Sequence, residues 1–273
     1  MKKNLIIRLF YIAAIAIVFY SCGSESSIET KNYSFEKKYY LTEDKEKGVL
    51  SVEMQVELPE QYKNQEVLNT IREDIVGKVF GNNYSQYPNK DVLLQFANDM
   101  VEEYKSNNLP FLLDEDVEEI GFAYNNDYLL ETFALLNDEC IFSYGMDLYV
   151  YMGGAHGISN RLYYNYNLKD GSFIEEDDLF TTGYEAFLTV LIKQQIVDDN
   201  DEITSIEDLD SIYWTEHIKP NGNFYITLES INYVFNPYEI APYVYGHTET
   251  AIPFAKIKNI LKENSLIKYL VGS

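Results

Sequence analysis

Three histidines are the residues of this sequence best suited to metal or acid–base chemistry. His156, His217 and His247 are too far apart for the H-x-x-x-H or H-E-x-x-H spacing that places zinc ligands on one helix. No G-x-S-x-G segment, which would present a nucleophilic serine, occurs in the chain. The sequence therefore predicts no catalytic residue, no metal and no cofactor. A zinc site made of His156, Glu239 and His247 stays open as an alternative.

His156 belongs to a glycine-rich segment that follows an apolar stretch. Residues 153–157 read Gly-Gly-Ala-His-Gly. Glycine lets the backbone take positive φ and approach another group closely, so such a loop can present a single side chain. We expect Gly153, Gly154 and His156 to form part of a ligand-binding loop. The alternative is a tight turn in which His156 bonds a neighbouring backbone group.

A second candidate loop, at residues 236–247, is rich in proline and tyrosine. Pro237 and Pro242 restrict φ and so limit the freedom of the loop. Tyrosine offers amphipathic contact area at low entropic cost, which suits the recognition of a protein or a glycan. The alternative is loop packing that joins two strands. The ligand-binding candidates here are Asn236, Pro237, Tyr238, Glu239, Tyr243, Gly246 and His247.

Charge limits the classes of partner. The 273 residues include 21 Lys+Arg and 44 Asp+Glu, a formal net charge of −23. Nucleic acid and anionic membrane surfaces require clustered basic residues, so neither is an expected partner. Acidic runs at 114–119 and 198–202 could steer a cationic, lysozyme-like protein. The alternative is that these runs are simply solvated surface.

The first 21 residues have the pattern of a secretory signal peptide. Lys2, Lys3 and Arg8 precede an apolar run at 9–20. This run is shorter than the roughly 20 residues that span a bilayer. The segment Phe-Tyr-Ser-Cys-Gly at its end resembles a bacterial lipobox. We therefore expect lipid on Cys22. A plain secretory signal or an uncleaved short anchor is the alternative.

The residues after the signal peptide suggest how the chain is attached. The polar stretch 22–32 is predicted to be a tether. Gly rather than Asp follows the cysteine, which favours the outer membrane of a bacterial cell envelope, reached through the lipid anchor only. Once Cys22 carries lipid, Cys140 has no cysteine partner. Its apolar surroundings predict a small buried side chain.

Periodicity predicts a mixture of strands and helices. Residues 49–58 alternate between apolar and polar types, as in an antiparallel strand with one solvated face. Apolar residues at helical spacing predict helices at 67–80 and 91–104. Further strands are predicted at 128–136, 141–152, 161–168, 224–228 and 231–235, with a helix at 182–197. The expected fold class is α+β, with two small domains that each pair an antiparallel sheet with helices.

Three segments together carry a family resemblance. They are Tyr151–Gly157, then Asp170–Ile174 with Asp178–Phe180, and finally Phe235–Tyr243 followed by Gly246. In this order they resemble the RsiV-like family of exported bacterial proteins. That family joins a PdaC-type N-terminal domain to an RsiV-like C-terminal domain.

The resemblance implies a domain division and a function. It places a PdaC-type domain at 33–160 and an RsiV-like domain at 161–273. One family member binds lysozyme outside the membrane, and another carries a separate deacetylase domain, for which this chain has no room. The implied function is that of a non-catalytic extracytoplasmic lipoprotein that binds a protein, possibly lysozyme-like and cationic, or a peptidoglycan-type glycan. The alternatives are a cell-envelope hydrolase or deacetylase-related enzyme, and a structural component of the envelope.

Overall fold

The computed structural model describes residues 27–41, 43, 48–112 and 121–271. The predicted signal peptide, the predicted lipid-bearing Cys22 and the acidic run at 114–119 lie outside the described residues. Within the described ranges, no helix combines the length and the apolar character needed to cross a membrane.

Eight strands and five helices make up the regular structure of the described residues. The strands are β1 (Glu29–Tyr40), β2 (Val49–Gln61), β3 (Asn126–Asn137), β4 (Ile141–Met152), β5 (Ile158–Asn167), β6 (Phe224–Ile226), β7 (Ser230–Phe235) and β8 (Thr248–Pro253). The helices are α1 (Gln65–Phe80), α2 (Asn89–Leu112), α3 (Glu176–Leu179), α4 (Tyr184–Asp198) and α5 (Phe254–Ile257). The predicted α+β class is confirmed.

The first sheet has five strands in the order β1-β2-β3-β4-β5. The alternation predicted for β2 is present, because its apolar residues all face the helices. Those residues, each at most 2% exposed, are Leu50, Val52, Met54, Val56 and Leu58. The stripes of α1 and α2 cover this face and complete the first hydrophobic core, to which Ile71 and Val92 contribute fully buried side chains.

The sequence predicted an antiparallel first sheet, but one of its strand pairs is parallel. β2 pairs with β3 in parallel, from Leu50 opposite Asn126 to Val56 opposite Thr132. A parallel pair cannot be closed by a hairpin and needs a crossover. Here the crossover carries α1 and α2 across one face of the sheet. The two helices therefore lie where they seal the apolar side of β2.

The predicted tether at residues 22–32 overlaps the first strand, so its last four residues belong to the fold. Residues 29–32 belong to β1, where Thr30 lies opposite Pro59 and Asn32 opposite Glu57. The sequence predicted two strands between residues 33 and 57, and it missed only the first four residues of β1, because they are largely polar. Its lysines, Lys31, Lys37 and Lys38, are all exposed.

Cys140 is exposed, which corrects the prediction of a buried side chain. It lies in the turn between β3 and β4. The Asp138 carboxylate accepts hydrogen bonds from the backbone N–H groups of Cys140 and Ile141, at 2.7 and 2.8 Å. This Asx-type turn directs Cys140 outward, and the apolar run begins one residue later.

The second sheet has three antiparallel strands in the order β6-β7-β8. It shares a second core with α3, α4 and α5, which includes Leu188, Ile231 and Ile252. Two residues of the first sheet, Leu136 and Ile141, also belong to this core. The two sheets are therefore joined through buried apolar contact as well as through the chain.

Asparagine side chains seal the free edge of β5 against the second sheet. Asn223 accepts a hydrogen bond from the Tyr163 N–H at 3.0 Å and donates to the Arg161 carbonyl at 2.9 Å. Asn236 accepts from the Arg161 N–H at 2.6 Å and donates to the same carbonyl at 3.1 Å. Each amide thus takes the place of a neighbouring strand. The domain boundary predicted between residues 160 and 161 falls inside β5.

Removing one of these amides should weaken the joint between the sheets. Asn223→Ala leaves the Tyr163 N–H without a partner and removes one donor to Arg161. We expect a loss of about 2–3 kcal/mol in the free energy of unfolding, measured by urea denaturation. Asn107→Ala, an exposed site on α2, is the control and should leave stability unchanged or slightly raised. Equal stability of both variants would contradict the role given to Asn223.

Candidate functional site

The two loops singled out in the sequence meet in the structure. The rings of His156 and Tyr243 are stacked, with centroids 4.2 Å apart and an interplanar angle of 23°. The Tyr243 hydroxyl donates to the Gly157 carbonyl at 2.9 Å, and His156 Nδ1 lies 2.9 Å from the same oxygen. The glycine-rich loop of the first sheet is thereby tied to the proline- and tyrosine-rich loop of the second.

A third ring extends this contact to the surface. Tyr238 packs against Tyr243 with centroids 5.6 Å apart, so His156, Tyr243 and Tyr238 form a row that we call the aromatic ladder. Tyr238 is 55% exposed, and Tyr245, in the same loop, is 47% exposed. The ladder is an open surface of ring faces and edges, suited to contact with a flat, partly apolar ligand.

Tyr238 holds an unfavourable backbone conformation. Its φ is 71°, and it is the one non-glycine residue with positive φ among those described. A left-handed conformation costs a bulky residue roughly 1–2 kcal/mol. The loop imposes it through hydrogen bonds from the Tyr238 N–H to the Ala241 carbonyl and from the Glu239 N–H to the Asn236 carbonyl. Strain at an exposed aromatic residue indicates a role outside folding.

The glycines of the first loop shape its backbone. Gly153 and Gly154 have φ values of 81° and 94°. A Cβ at Gly153 would lie 2.5 Å from the Ala123 carbonyl oxygen, and one at Gly157 would lie 2.4 Å from the Tyr149 ring. These positions therefore let His156 reach the second loop. Gly246 serves the second loop in the same way, with φ of 68°.

Asn236 and Glu239 are both engaged in hydrogen bonds with other residues of the protein. Besides its bonds to Arg161, the Asn236 amide donates to Glu239 at 3.1 Å, and Glu239 also accepts from Asn221 at 3.2 Å. The side chain of Asn236 is buried. Neither carboxylate oxygen of Glu239 bonds His156 in the described hydrogen bonds. Pro237, between them, is half-buried and fixes the start of the loop.

His247 lies on the interior side of the second loop. Its Nε2 atom is buried and has no hydrogen-bond partner among the described residues. Desolvation, helped by the nearby charge of Arg161, lowers the pKa of the imidazole, and the carboxylates of Asp147 and Glu239 oppose this shift. Within the described residues, no three His, Cys, Asp or Glu side chains are grouped so that they could hold a metal ion.

A cleft of about 480 Å³, which no sequence pattern indicated, lies between the two sheets. Tyr163 and Tyr164 of β5 line one side, and Glu176, Tyr184 and Asn223 line the other. We define the inter-sheet cleft by these residues together with Phe173, Glu175, Asp177, Asn221 and Gly222. The sequence around Glu176 favoured a solvated helix entry, because four consecutive acids carry no sign of which one is turned inward.

Glu176 is the carboxyl group turned into this cleft. Its oxygens accept hydrogen bonds from the Tyr184 hydroxyl at 3.0 Å and from the Gly222 N–H at 3.2 Å. Burial raises the pKa of Glu176 above its usual value of 4.5, and these donors only partly offset the effect. The fully buried hydroxyl of Tyr233 lies close to the same carboxylate but outside good hydrogen-bond geometry, and its proximity lowers the pKa of Glu176 in part. A perturbed carboxyl in a cleft marks a candidate site.

The family comparisons agree with this fold. Residues 177–255 match a family described as "Protein of unknown function (DUF3298)". This match contains the second loop and begins at Asp177, one residue after Glu176. A crystal structure of a DUF3298 family member from Bacteroides fragilis NCTC 9343 superposes with a TM-score of 0.84 at 25% identity. It covers 92% of this chain and 100% of its own.

Two further relatives are more distant. A DUF3298 family protein from Pseudomonas aeruginosa PAO1 has a TM-score of 0.57 at 15% identity, with 88% of this chain and 98% of that chain covered. The peptidoglycan-N-acetylmuramic acid deacetylase PdaC of Bacillus subtilis strain 168 is 26% identical over 216 residues, which are 76% of this chain. This chain spans only 44% of the length of PdaC. The likeness to PdaC-type proteins is supported, and the RsiV-like part of the resemblance stays a prediction.

Glu176 makes stability depend on pH. Because its pKa is raised in the folded chain, its favourable contribution is present below the unfolded value of about 4.5 and is lost as pH rises through the folded value. We expect Glu176→Gln to raise the unfolding temperature at pH 7 and to change it little at pH 4. Glu207→Gln, at an exposed carboxylate, should raise it at neither pH. Thermal scans at both values test this, and an unfolding temperature lowered at pH 7 would contradict it.

Proposed function

We propose that this chain is a non-catalytic protein of the bacterial cell envelope that binds a peptidoglycan-type glycan through the aromatic ladder. The observation that carries the proposal is the stacking of His156 on Tyr243, with Tyr238 exposed beside them. The relative PdaC, named as a peptidoglycan deacetylase, supports an envelope role. In this proposal the aromatic rings of the ladder pack against the apolar C–H faces of sugar rings.

The polar groups near the ladder favour binding over chemistry. His156 is occupied by the Gly157 carbonyl and the Tyr243 ring, and Glu239 by two asparagine amides. None of these groups is paired as a nucleophile and base would be. A loop stiffened by Pro237 and Pro242 reduces the entropy lost on binding. These features support recognition of a ligand as the role of the surface.

We also propose that the chain reaches the envelope as a lipoprotein of the outer membrane. The support is in the sequence: a basic start, a short apolar run, and Ser-Cys-Gly at residues 21–23. Lipid on Cys22 would keep the binding domains at the membrane face. The folded part described begins soon afterwards, with β1 at Glu29.

Replacing exposed rings of this surface should weaken binding to peptidoglycan. We expect Tyr238→Asn and Tyr245→Ala each to weaken co-sedimentation with insoluble peptidoglycan by about three- to tenfold, because an aromatic contact contributes about 0.5–1.5 kcal/mol. Tyr238→Asn should change the free energy of unfolding by less than about 1 kcal/mol, since Asn tolerates positive φ better than Tyr.

Phe111→Ala is the matched control for these variants. Phe111 is an aromatic residue 61% exposed on α2, away from the ladder, and its loss should leave binding unchanged. Failure of the wild-type protein to sediment would contradict a glycan ligand. The wild-type protein could instead bind no glycan and capture lysozyme in a salt-sensitive way that Tyr238→Asn abolishes. That result would assign a cationic protein as the partner.

The two cysteines test the lipid anchor. Cys22→Ser should abolish incorporation of labelled palmitate and move the protein from the membrane fraction to the soluble fraction. Cys140→Ser, at the exposed turn before β4, should retain both label and location. Label lost from neither variant, or lost only from Cys140→Ser, would overturn the anchor assignment. Fractionation of inner and outer membranes then tests the outer-membrane assignment.

A further inference from the structure

The inter-sheet cleft has the composition of a cation-binding site. Three carboxylates, Glu175, Glu176 and Asp177, line it together with the rings of Tyr164 and Phe173. Among the described residues that line the cleft, none carries a positive charge. Lys262, which does not line the cleft, donates to the backbone carbonyl of Asp177.

The aromatic wall of the cleft already holds one ammonium group. Lys78 Nζ lies 3.7 Å from the ring centroid of Phe173, 5.0 Å from that of Tyr164 and 5.5 Å from that of Tyr166. Asp74 neutralises this lysine through an ion pair. The rings of this wall are therefore arranged to attract a cation, as expected from their electron-rich faces.

The inner end of the cleft contains polar groups without full compensation. Glu176 is half-buried, receives only neutral donors, and its pKa is raised by burial. Behind it the Tyr233 hydroxyl is fully buried and lies close to this carboxylate, outside good hydrogen-bond geometry. Buried polar groups are normally satisfied, and among the residues that line the cleft no cation compensates Glu176. A ligand cation would supply the missing charge and fix the carboxylate where Tyr233 can donate to it.

We propose that the inter-sheet cleft binds a primary ammonium group, held by the Glu176 carboxylate beside the aromatic wall of Tyr164 and Phe173. The cleft, at about 480 Å³, has the size of a site for a small molecule or for one or two sugar or amino acid units. Two sources share this chemistry: an amino sugar that lacks its acetyl group, and a lysine side chain. This site does not depend on the function proposed for the aromatic ladder.

A matched pair of disaccharides tests the site. The glucosamine disaccharide and its N,N′-diacetyl form have the same rings, and only the first carries ammonium groups. By calorimetry at pH 7, the wild-type protein should bind the amine form at least about tenfold more tightly, equivalent to about 1.4 kcal/mol. Nα-acetyl-lysine amide serves as the peptide probe. Binding of either amine probe supports the proposal and identifies the source.

Variants then locate the binding. Glu176→Gln should weaken the amine probe about tenfold, and Phe173→Leu about threefold, because Leu keeps apolar contact but has no ring face. Glu207→Gln, the exposed charge control, should have no effect, and thermal scans confirm that each variant is folded. Equal affinity for the amine and acetylated disaccharides with no binding of the lysine probe, or full binding by Glu176→Gln, would overturn the proposal.

Different variants test the glycan-binding proposal and the ammonium-binding proposal, so either can fail without the other. Tyr238→Asn should retain binding of the amine probe, and Glu176→Gln should retain sedimentation with peptidoglycan. Loss of amine binding in Tyr238→Asn would place the ammonium at the ladder and so overturn the assignment to the inter-sheet cleft.

Discussion

The arrangement of the two sheets depends on how the backbone hydrogen-bonding groups at the outer edge of β5, the last strand of the first sheet, are satisfied. β5 has backbone donors and acceptors on its outer side that must be satisfied. The amides of Asn223 and Asn236 satisfy them at Arg161 and Tyr163. Because one amide precedes β6 and the other follows β7, this contact fixes the second sheet relative to the first. The aromatic ladder and the inter-sheet cleft both lie along this joint.

The ladder follows from this arrangement. One of its rings comes from the loop between β4 and β5, and two come from the loop between β7 and β8. Stacking at 4.2 Å requires the two loops to be positioned closely, and Asn236 at the start of the second loop provides that position through Arg161. The strained Tyr238 is tolerated because its neighbours in the loop are already fixed.

The sequence predicted the elements with strong periodicity and missed those whose nature depends on distant partners. Val67 to Phe80 and the alternation at 49–58 are local signals, so α1 and β2 were placed well. The parallel pairing of β2 with β3 has no local signal, because it results from how α1 and α2 cross the sheet. Residues 29–32 were assigned to a tether because a polar edge strand has no clear apolar face.

The candidate site residues also divide into those that local sequence could indicate and those whose role depends on distant partners. The two loops were recognisable from Gly, Pro and Tyr content, since those residues act through local backbone and surface properties. Asn236 and His247 were candidates for ligand contact, but the first is buried in the β5 joint and the second faces the interior. Glu176 could not be distinguished from its acidic neighbours, because its environment is made by Tyr184, Gly222 and Tyr233, which are 8 to 57 positions away.

Among the described residues, β1 forms the opposite edge of the first sheet, and its composition bears on contact between copies of the protein. β1 ends the sheet without a further strand, so its outer backbone groups could template the addition of another chain. Three exposed lysines, Lys31, Lys37 and Lys38, are spread along it. Pairing two such edges would crowd these long hydrated side chains, together with those of Glu29 and Glu36. β1 thus carries charged side chains of the kind that discourage edge-to-edge pairing with a second copy.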